Sequence, residues 1–362
     1  MSENVFILGA GASRDAGAPL MNEFLDKAYD LSNEGRVGNF KDSFHLVEEF
    51  CQALRVTQSN AALDIHNLES VFALVEMAEL LGRLGDTWDR QKLTGLRSAI
   101  IEVIVHTLGE TIKFPIDSDN RTFGPCPPYG NFAELIYGLW SKWNREGRAP
   151  ASVITFNYDP CLDDALFRPG LDYDYCLSGN RPTDKLKLLK LHGSLNWTRC
   201  ELCDPHRISY WDVAEFVPRT RMSSSGFPLA EMLRKAPALA CKHPRNPSCN
   251  PFLVPPTYNK GQLHSEIAPV WQAAADELRE AENIYVFGFS LPDTDQFFLY
   301  LYALGTIGGP FLRNFLVFDP DPKGEVQDRF SKLLGPSVKP KFARKQLTFR
   351  EAIDKLRSDL GV

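Results

Sequence analysis

Five short apolar runs, each stopping abruptly at a small or polar residue, constrain this chain more than any other feature. Residues 4–8 (Asn-Val-Phe-Ile-Leu) run into Gly9-Ala10-Gly11, and residues 152–156 (Ser-Val-Ile-Thr-Phe) into Asn157. Residues 186–191 (Leu-Lys-Leu-Leu-Lys-Leu) run into His192-Gly193, residues 283–287 (Asn-Ile-Tyr-Val-Phe) into Gly288, and residues 315–318 (Phe-Leu-Val-Phe) into Asp319. Runs of this length have the pattern of strands buried on both faces. Between them lie stripes with helical spacing: Phe132, Leu135, Ile136, Leu139, Trp140 and Trp143, then Ile267, Val270, Trp271, Ala274 and Leu278. Strands alternating with helices predict an α/β fold with a doubly wound parallel sheet. Ligands of such sheets bind beyond the carboxyl ends of the strands, so the residues that stop the runs are the first candidates for function.

Two segments interrupt the alternation. Residues 31–128 hold amphipathic stripes (Leu68, Val71, Phe72, Val75; Leu93, Leu96, Ile100, Val103) without a convincing strand and are expected to form a helical insertion. Residues 198–250, rich in Cys, Pro, Arg and Ser, show little periodicity and are expected to be a small cysteine-containing module. The core is then residues 1–30, 129–197 and 251–362, ending in a helix that opens with the capping-box pattern Thr348-Phe-Arg-Glu351. A length of 362 residues fits one large domain with insertions, or two domains.

Forty basic against forty-six acidic side chains give a net charge of −6, which removes the broad attraction to phosphate that non-specific nucleic-acid or anionic-membrane binding needs. No stretch approaches a membrane span, and the start lacks the charge pattern of a secretory signal. Eight cysteines are too sparse for a disulfide scaffold, so the cytoplasm is the expected compartment. Four of them, Cys200, Cys203, Cys241 and Cys249, cluster at spacings resembling metal ligands. Their alternative reading is unrelated thiols in a loop, and His206 and His243 are further candidate ligands.

Gly9-Ala10-Gly11 follows a strand and is expected to open a helix, where backbone N–H groups can face a phosphate. The standard dinucleotide fingerprint fails, because Arg14 stands where its third glycine belongs. As a bland alternative, the glycines make only a tight turn. Asn157 precedes Asp159-Pro160, which can start a helix with Asp as N-cap and Pro at the first helical position.

Residues 9–19, Gly-Ala-Gly-Ala-Ser-Arg-Asp-Ala-Gly-Ala-Pro, resemble the first signature of the sirtuin superfamily at every fixed position. Thr155-Phe156-Asn157-Tyr158-Asp159, with Leu162 beyond, is similar to the sirtuin Thr-Gln-Asn-Ile-Asp-x-Leu segment. Leu191-His192-Gly193-Ser194 resembles the catalytic His-Gly, and Gly288-Phe-Ser290 the late Gly-x-Ser turn. The resemblance implies a sirtuin-like, Rossmann-like core that binds NAD+ as substrate. Gly9, Ala10, Gly11 and Ser13 would cradle the pyrophosphate, Gly288 and Ser290 hold a ribose, and Asp319 meet the adenosine end, with Asp159 beside the pocket. Splitting the nicotinamide–ribose bond passes through an oxocarbenium-like state, which calls for a base near pH 7 and a polar group to place a water or the ribose hydroxyls. His192 and Asn157 suit those roles. The family's four-cysteine structural zinc would fall on Cys200, Cys203, Cys241 and Cys249.

The chain departs from protein-deacylating sirtuins after Pro19. Leu20-Met21-Asn22 replaces the Asp-Phe-Arg that lines their nicotinamide pocket. His192-Gly-Ser-Leu-Asn-Trp197, residues 287–293 (Phe-Gly-Phe-Ser-Leu-Pro-Asp) and Asn67-Leu-Glu-Ser-Val-Phe72 are instead similar to sirtuin-like proteins of prokaryotic antiphage systems, which destroy NAD+ during infection. That likeness implies an NAD+ glycohydrolase with a HerA-type hexameric ATPase or another defence subunit as partner, and because a lethal NADase must be held silent, a homo-oligomer is expected as its simplest control. An NAD-dependent deacylase, a non-catalytic NAD or ADP-ribose sensor, and a scaffold subunit are the alternatives.

Overall fold

All five apolar runs are strands, and two short strands join them. In a computed structural model, which describes all residues except 1, 58–60, 62, 117–121, 145–146, 201, 203, 214–225, 236–249, 255–265, 293–294 and 310–311, seven strands form the central sheet. In chain order they are β1 (Ser2–Leu8), β2 (Ala149–Thr155), β3 (Tyr173–Asp174), β4 (Leu186–Lys190), β5 (Asn283–Phe287), β6 (Asn314–Phe318) and β7 (Phe342–Lys345). Their order across the sheet is β7-β6-β5-β1-β2-β4-β3, and every pairing is parallel. The chain builds outward from β1 through β2, then crosses to β5 on the other flank of β1. That reversal makes the cleft between β1 and its neighbours the topological switch point, where a doubly wound sheet takes its ligand.

Burial explains why the sequence reads as apolar runs rather than alternation. Val5, Phe6, Ile7 and Leu8 are all inaccessible, because helices cover both faces of the sheet. One cover is the helix Tyr129–Ser141, which buries Phe132, Leu135 and Ile136. Another is Ala268–Glu280, which buries Val270, Ala274 and Leu278. At the amino-terminal edge, Asn314 donates to Asn283, Asn283 to Asn4, and Asn4 to the Pro150 carbonyl, a ladder of amides that pins the register of four strands. β7 was not apparent in the sequence because its residues Phe-Ala-Arg-Lys are only partly buried at the sheet edge. The closing helix Phe349–Leu360 carries the full capping box expected of Thr348 and Glu351.

The segment after the first strand is helical, with helices Phe24–Asn33, Lys41–Thr57, Leu68–Leu81, Arg90–Leu93 and Leu96–Thr111. It also contains strands too short to read from periodicity: Arg83–Leu84 pairs with Trp88–Asp89, and Lys113–Phe114 pairs with Phe227–Pro228 of the later segment. The stripes Leu68, Val71, Phe72, Val75 and Leu93, Leu96, Ile100, Val103 are all buried. Beyond β4, Gly193–Cys200 is the middle strand of an antiparallel sheet flanked by Asp204–Tyr210 and Asn250–Leu253. Strand structure at 204–210 lay hidden in a segment of little periodicity, since its regularity comes from pairing with Gly193–Cys200.

Candidate functional site

Register brings the run-ending residues to one line. Leu8 aligns with Thr155 on one side and Phe287 on the other, Thr155 with Lys190, and Phe287 with Phe318. Gly9, Gly288 and Asp319 therefore each follow an aligned residue directly, and Asn157 and His192 each lie two residues past one. Backbone bonds carry the ladder past the strand ends: Gly9 N–H donates to Phe287 O at 3.0 Å, Phe156 N–H to Leu8 O at 3.1 Å and Leu191 N–H to Thr155 O at 3.0 Å.

The two glycine turns interlock. A Cβ on Gly9 would sit 2.5 Å from Phe289 Cα, one on Gly11 2.8 Å from Gly288 Cα, and one on Gly288 2.5 Å from the Gly11 carbonyl carbon. Gly288 also has φ +57°, in the left-handed region. Gly11 N–H donates to Gly288 O, and Ala12 N–H to Gly9 O, both at 2.9 Å. The N–H groups of Gly9, Gly11 and Ala12 are thus spent within the protein. A ligand can meet only what the turn still presents, and Ala10 and Gly11 are its half-exposed residues. The helix that the turn opens is a 3-10 helix, Ala10–Ala16, which stops at Gly17 with φ +101°. Gly17 packs directly on the Thr111 carbonyl at the end of helix Leu96–Thr111, so the helical segment abuts the glycine turn.

Asn157 is 8% exposed and its amide is tied inward. Nδ2 lies 2.9 Å from Gly9 O, 2.9 Å from Ser13 Oγ and 3.1 Å from Tyr129 Oη. A carbonyl can only accept, so the amide atom facing Gly9 O must be the nitrogen, which fixes the flip. Oδ1 has no hydrogen-bond partner among the described residues and is the atom left to accept from a ligand. Ser13 Oγ in turn donates to Asp159 Oδ2 at 2.7 Å. Asp159 Oδ1 accepts the Cys161 N–H at 3.1 Å, but from one position before the N-cap, which is Pro160 and not Asp159. That helix, Cys161–Phe167, starts one residue later than the Asp-Pro pattern suggests.

His192, 4% exposed, sits edge-on to Phe156 with centroids 5.2 Å apart, and beside Tyr158 at 6.2 Å. Phe156 stacks on Phe289 from the Gly288 turn at 4.2 Å, so an aromatic wall joins the β2, β4 and β5 ends. The His192 carbonyl accepts Val254 N–H at 2.8 Å. Gly193 has φ +77° and packs on the Phe252 carbonyl, a position with no room for a side chain. Strand Asn250–Leu253 thus backs the histidine turn.

Several supporting residues escaped sequence reasoning. Lys190, fully buried in β4, donates to the Asp159 carbonyl and to Asp163 Oδ2, both at 2.9 Å. Asp163 also accepts from the Tyr175 hydroxyl, which accepts from Asn196 Nδ2 at 2.9 Å. Asn196 Oδ1 accepts from Ser194 Oγ at 2.6 Å. This buried chain ties the 157–160 loop to the antiparallel sheet, and a charged residue inside an apolar run was its one local signal, since a buried lysine must be paired. Lys187 in the same strand pairs with Glu277 at 2.8 Å. Tyr129, at the start of a helix, gave no signal beyond that of a core aromatic.

Asp319 follows β6 as expected. Burial pushes its carboxyl above the ordinary range, while the Asp321 N–H bonded to Oδ1 at 2.8 Å pulls it back. Ser290 is exposed at its turn, and its carbonyl accepts from Arg329 Nε at 2.7 Å. Cys200 is buried at the end of its strand, whereas Cys203, Cys241 and Cys249 lie outside the described residues. His243 lies there too, and the His206 side chain is likewise outside the description. Among the described residues no group of three or more His, Cys, Asp or Glu could hold a metal ion, and no helix is long and apolar enough to cross a membrane.

No protein family and no curated protein matches this chain. Solved structures of Sir2 proteins do. One, in complex with the inhibitor EX-527, 2′-O-acetyl-ADP-ribose and a deacetylated p53 peptide, is 13% identical with a TM-score of 0.39, over 99% of this chain and 94% of the other. A Sir2 homologue carrying a serine-to-alanine substitution, in complex with ADP-ribose, is 15% identical with a TM-score of 0.39, over 99% and 93%. Sir2Tm bound to a propionylated peptide is 11% identical with a TM-score of 0.37, over 99% and 93%.

Proposed function

We propose that this chain is an NAD+ glycohydrolase that cleaves NAD+ to nicotinamide and ADP-ribose. The observation that carries the reading is the fixed amide of Asn157: its nitrogen faces the Gly9 carbonyl, leaving Oδ1 to accept from a ribose hydroxyl or a water at the switch point. In hydrolysis the bond from ribose C1′ to the pyridinium nitrogen breaks and its electron pair leaves with nicotinamide. A water oxygen bonds C1′, and its proton passes to His192 as general base. The pyrophosphate would lie against the half-exposed Ala10 and Gly11, the ribose near Gly288 and Ser290, and the adenosine end toward Asp319. The order of the sirtuin-like motifs supports the substrate. Leu20-Met21-Asn22, whose Met21 carbonyl accepts the Leu68 N–H at 3.1 Å, favours hydrolysis over deacylation because this segment is engaged by the helical segment and lacks the deacylase residues.

His192→Ala and Asn157→Ala should each lower nicotinamide release by at least about a hundredfold while the protein stays folded. Full release by folded His192→Ala would refute the mechanism. O-acyl-ADP-ribose formed from an acylated peptide would point to a deacylase, and intact NAD+ affinity without turnover to a sensor. The motif resemblance further supports an NAD-depleting role in antiphage defence, with activity controlled by self-association or by a HerA-type ATPase, and a structural zinc on Cys200, Cys203, Cys241 and Cys249.

A further inference from the structure

The Tyr129 hydroxyl belongs to no motif, yet it lies within hydrogen-bond distance of both Ser13 Oγ, at 2.7 Å, and Asn157 Nδ2, at 3.1 Å. The residue opens the helix Tyr129–Ser141, is 1% exposed, and packs its ring edge-on against Phe349 at 5.7 Å. Burial, and then the Asp159 charge, hold its phenol well above the ordinary range, so the proton stays on the oxygen.

Proton counting sets the direction of every bond in this cluster. The Asp159 carboxylate accepts, so the single Ser13 proton goes to Oδ2. Ser13 Oγ can then only accept from Tyr129. Asn157 Nδ2 has two protons; one goes to Gly9 O, and the other is directed at the oxygens of Ser13 and Tyr129. The result is a one-way chain, from the Asn157 amide and the Tyr129 hydroxyl through Ser13 to the Asp159 carboxylate. With its proton directed at Ser13 Oγ, the Tyr129 oxygen accepts from Asn157, which favours the same Nδ2-inward orientation that the Gly9 carbonyl requires. We propose that Tyr129 is a positioning residue for Asn157, holding the amide with Nδ2 on the Gly9 carbonyl and Oδ1 left to accept.

The proposal rests on the hydrolase reading for its kinetic consequence but not for its structural one, and the test separates them. Tyr129→Phe keeps the ring and removes only the hydroxyl. With NAD+ as substrate it should lower kcat roughly tenfold with KM changed less than about twofold, since the lost contact acts through a group used in the transition state. In the Asn157→Ala background the same substitution should have no further effect, whereas a general loss of structure would add in both backgrounds. Independently of turnover, the side-chain amide protons of Asn157, identified by NMR through their loss in Asn157→Ala, should exchange with solvent at least about tenfold faster in Tyr129→Phe. If the wild-type protein releases no nicotinamide, the hydrolase reading fails and the amide exchange alone decides the positioning. Unchanged Asn157 exchange in folded Tyr129→Phe, or kinetic losses that simply add, would overturn the proposal.

Discussion

Two glycines with nearly the same backbone angle separate conformational strain from close packing. Gly288 has φ +57° and Gly85 has φ +58°, but a Cβ on Gly85 would meet no atom within 4 Å, whereas on Gly288 it would run into the Gly11 and Ala12 backbone. Gly85→Ala should therefore cost only the left-handed penalty, about 1–2 kcal/mol. Gly288→Ala should add the cost of forcing backbone apart in a packed region, about 1–3 kcal/mol, for a total of about 2–5 kcal/mol. The clash falls on the turn that Gly11 N–H and Gly288 O hold together at 2.9 Å. If the proposed NAD+ site lies over this turn, displacing the turn should also weaken NAD+ binding, on the order of tenfold or more, while Gly85→Ala leaves it unchanged. Urea denaturation gives the stabilities and calorimetry the affinities. Equal destabilisation by the two substitutions would refute the close-packing argument, and undiminished NAD+ binding by Gly288→Ala would refute the placement of the proposed NAD+ site over the interlocked turns.

Burial pushes the Asp164 carboxyl up to about 6 from an ordinary 3.8, only partly opposed by Arg168. A raised acid binds its proton more tightly in the folded state, so its unfavourable contribution is absent at low pH and grows as pH rises from about 4 to 6. Asp164→Asn should accordingly gain about 2–3 kcal/mol relative to wild type between about pH 4 and pH 7, read by urea denaturation, and a constant gap would exclude this origin. For the cysteines, the purified protein should hold about one zinc per chain, and chelation should speed hydrogen exchange in residues 198–250 before the central sheet. Metal-free protein with the same exchange pattern would remove zinc from the picture. If association completes the cleft, NAD+ turnover per chain should rise steeply with concentration or on adding a HerA-type ATPase. Constant turnover from monomer to oligomer, with and without that partner, would rule this out.

The sequence by itself determined the doubly wound sheet and the residues at its carboxyl edge. Strands buried on both faces must be apolar throughout, so β1, β2, β4, β5 and β6 announce themselves, and each must end where a turn needs Gly9, Asn157, His192, Gly288 or Asp319. The capping box at Thr348 and Glu351 was legible for the same reason: its bonds span three residues. Tertiary structure alone decided everything that depends on pairing across long sequence separations. The edge strand β7 and the strand Asp204–Tyr210 exist through their partners, and neither carries a strong local pattern. The direction of the Asn157 amide is set by a carbonyl 148 residues away and by hydroxyls 144 and 28 residues away. Lys190 could be seen in sequence as a charge in an apolar strand, but its partner Asp163 could not. Local chemistry writes the strands and turns into the sequence because neighbours along the chain enforce them, whereas the hydrogen-bond directions in the candidate site are fixed only when distant segments fold together.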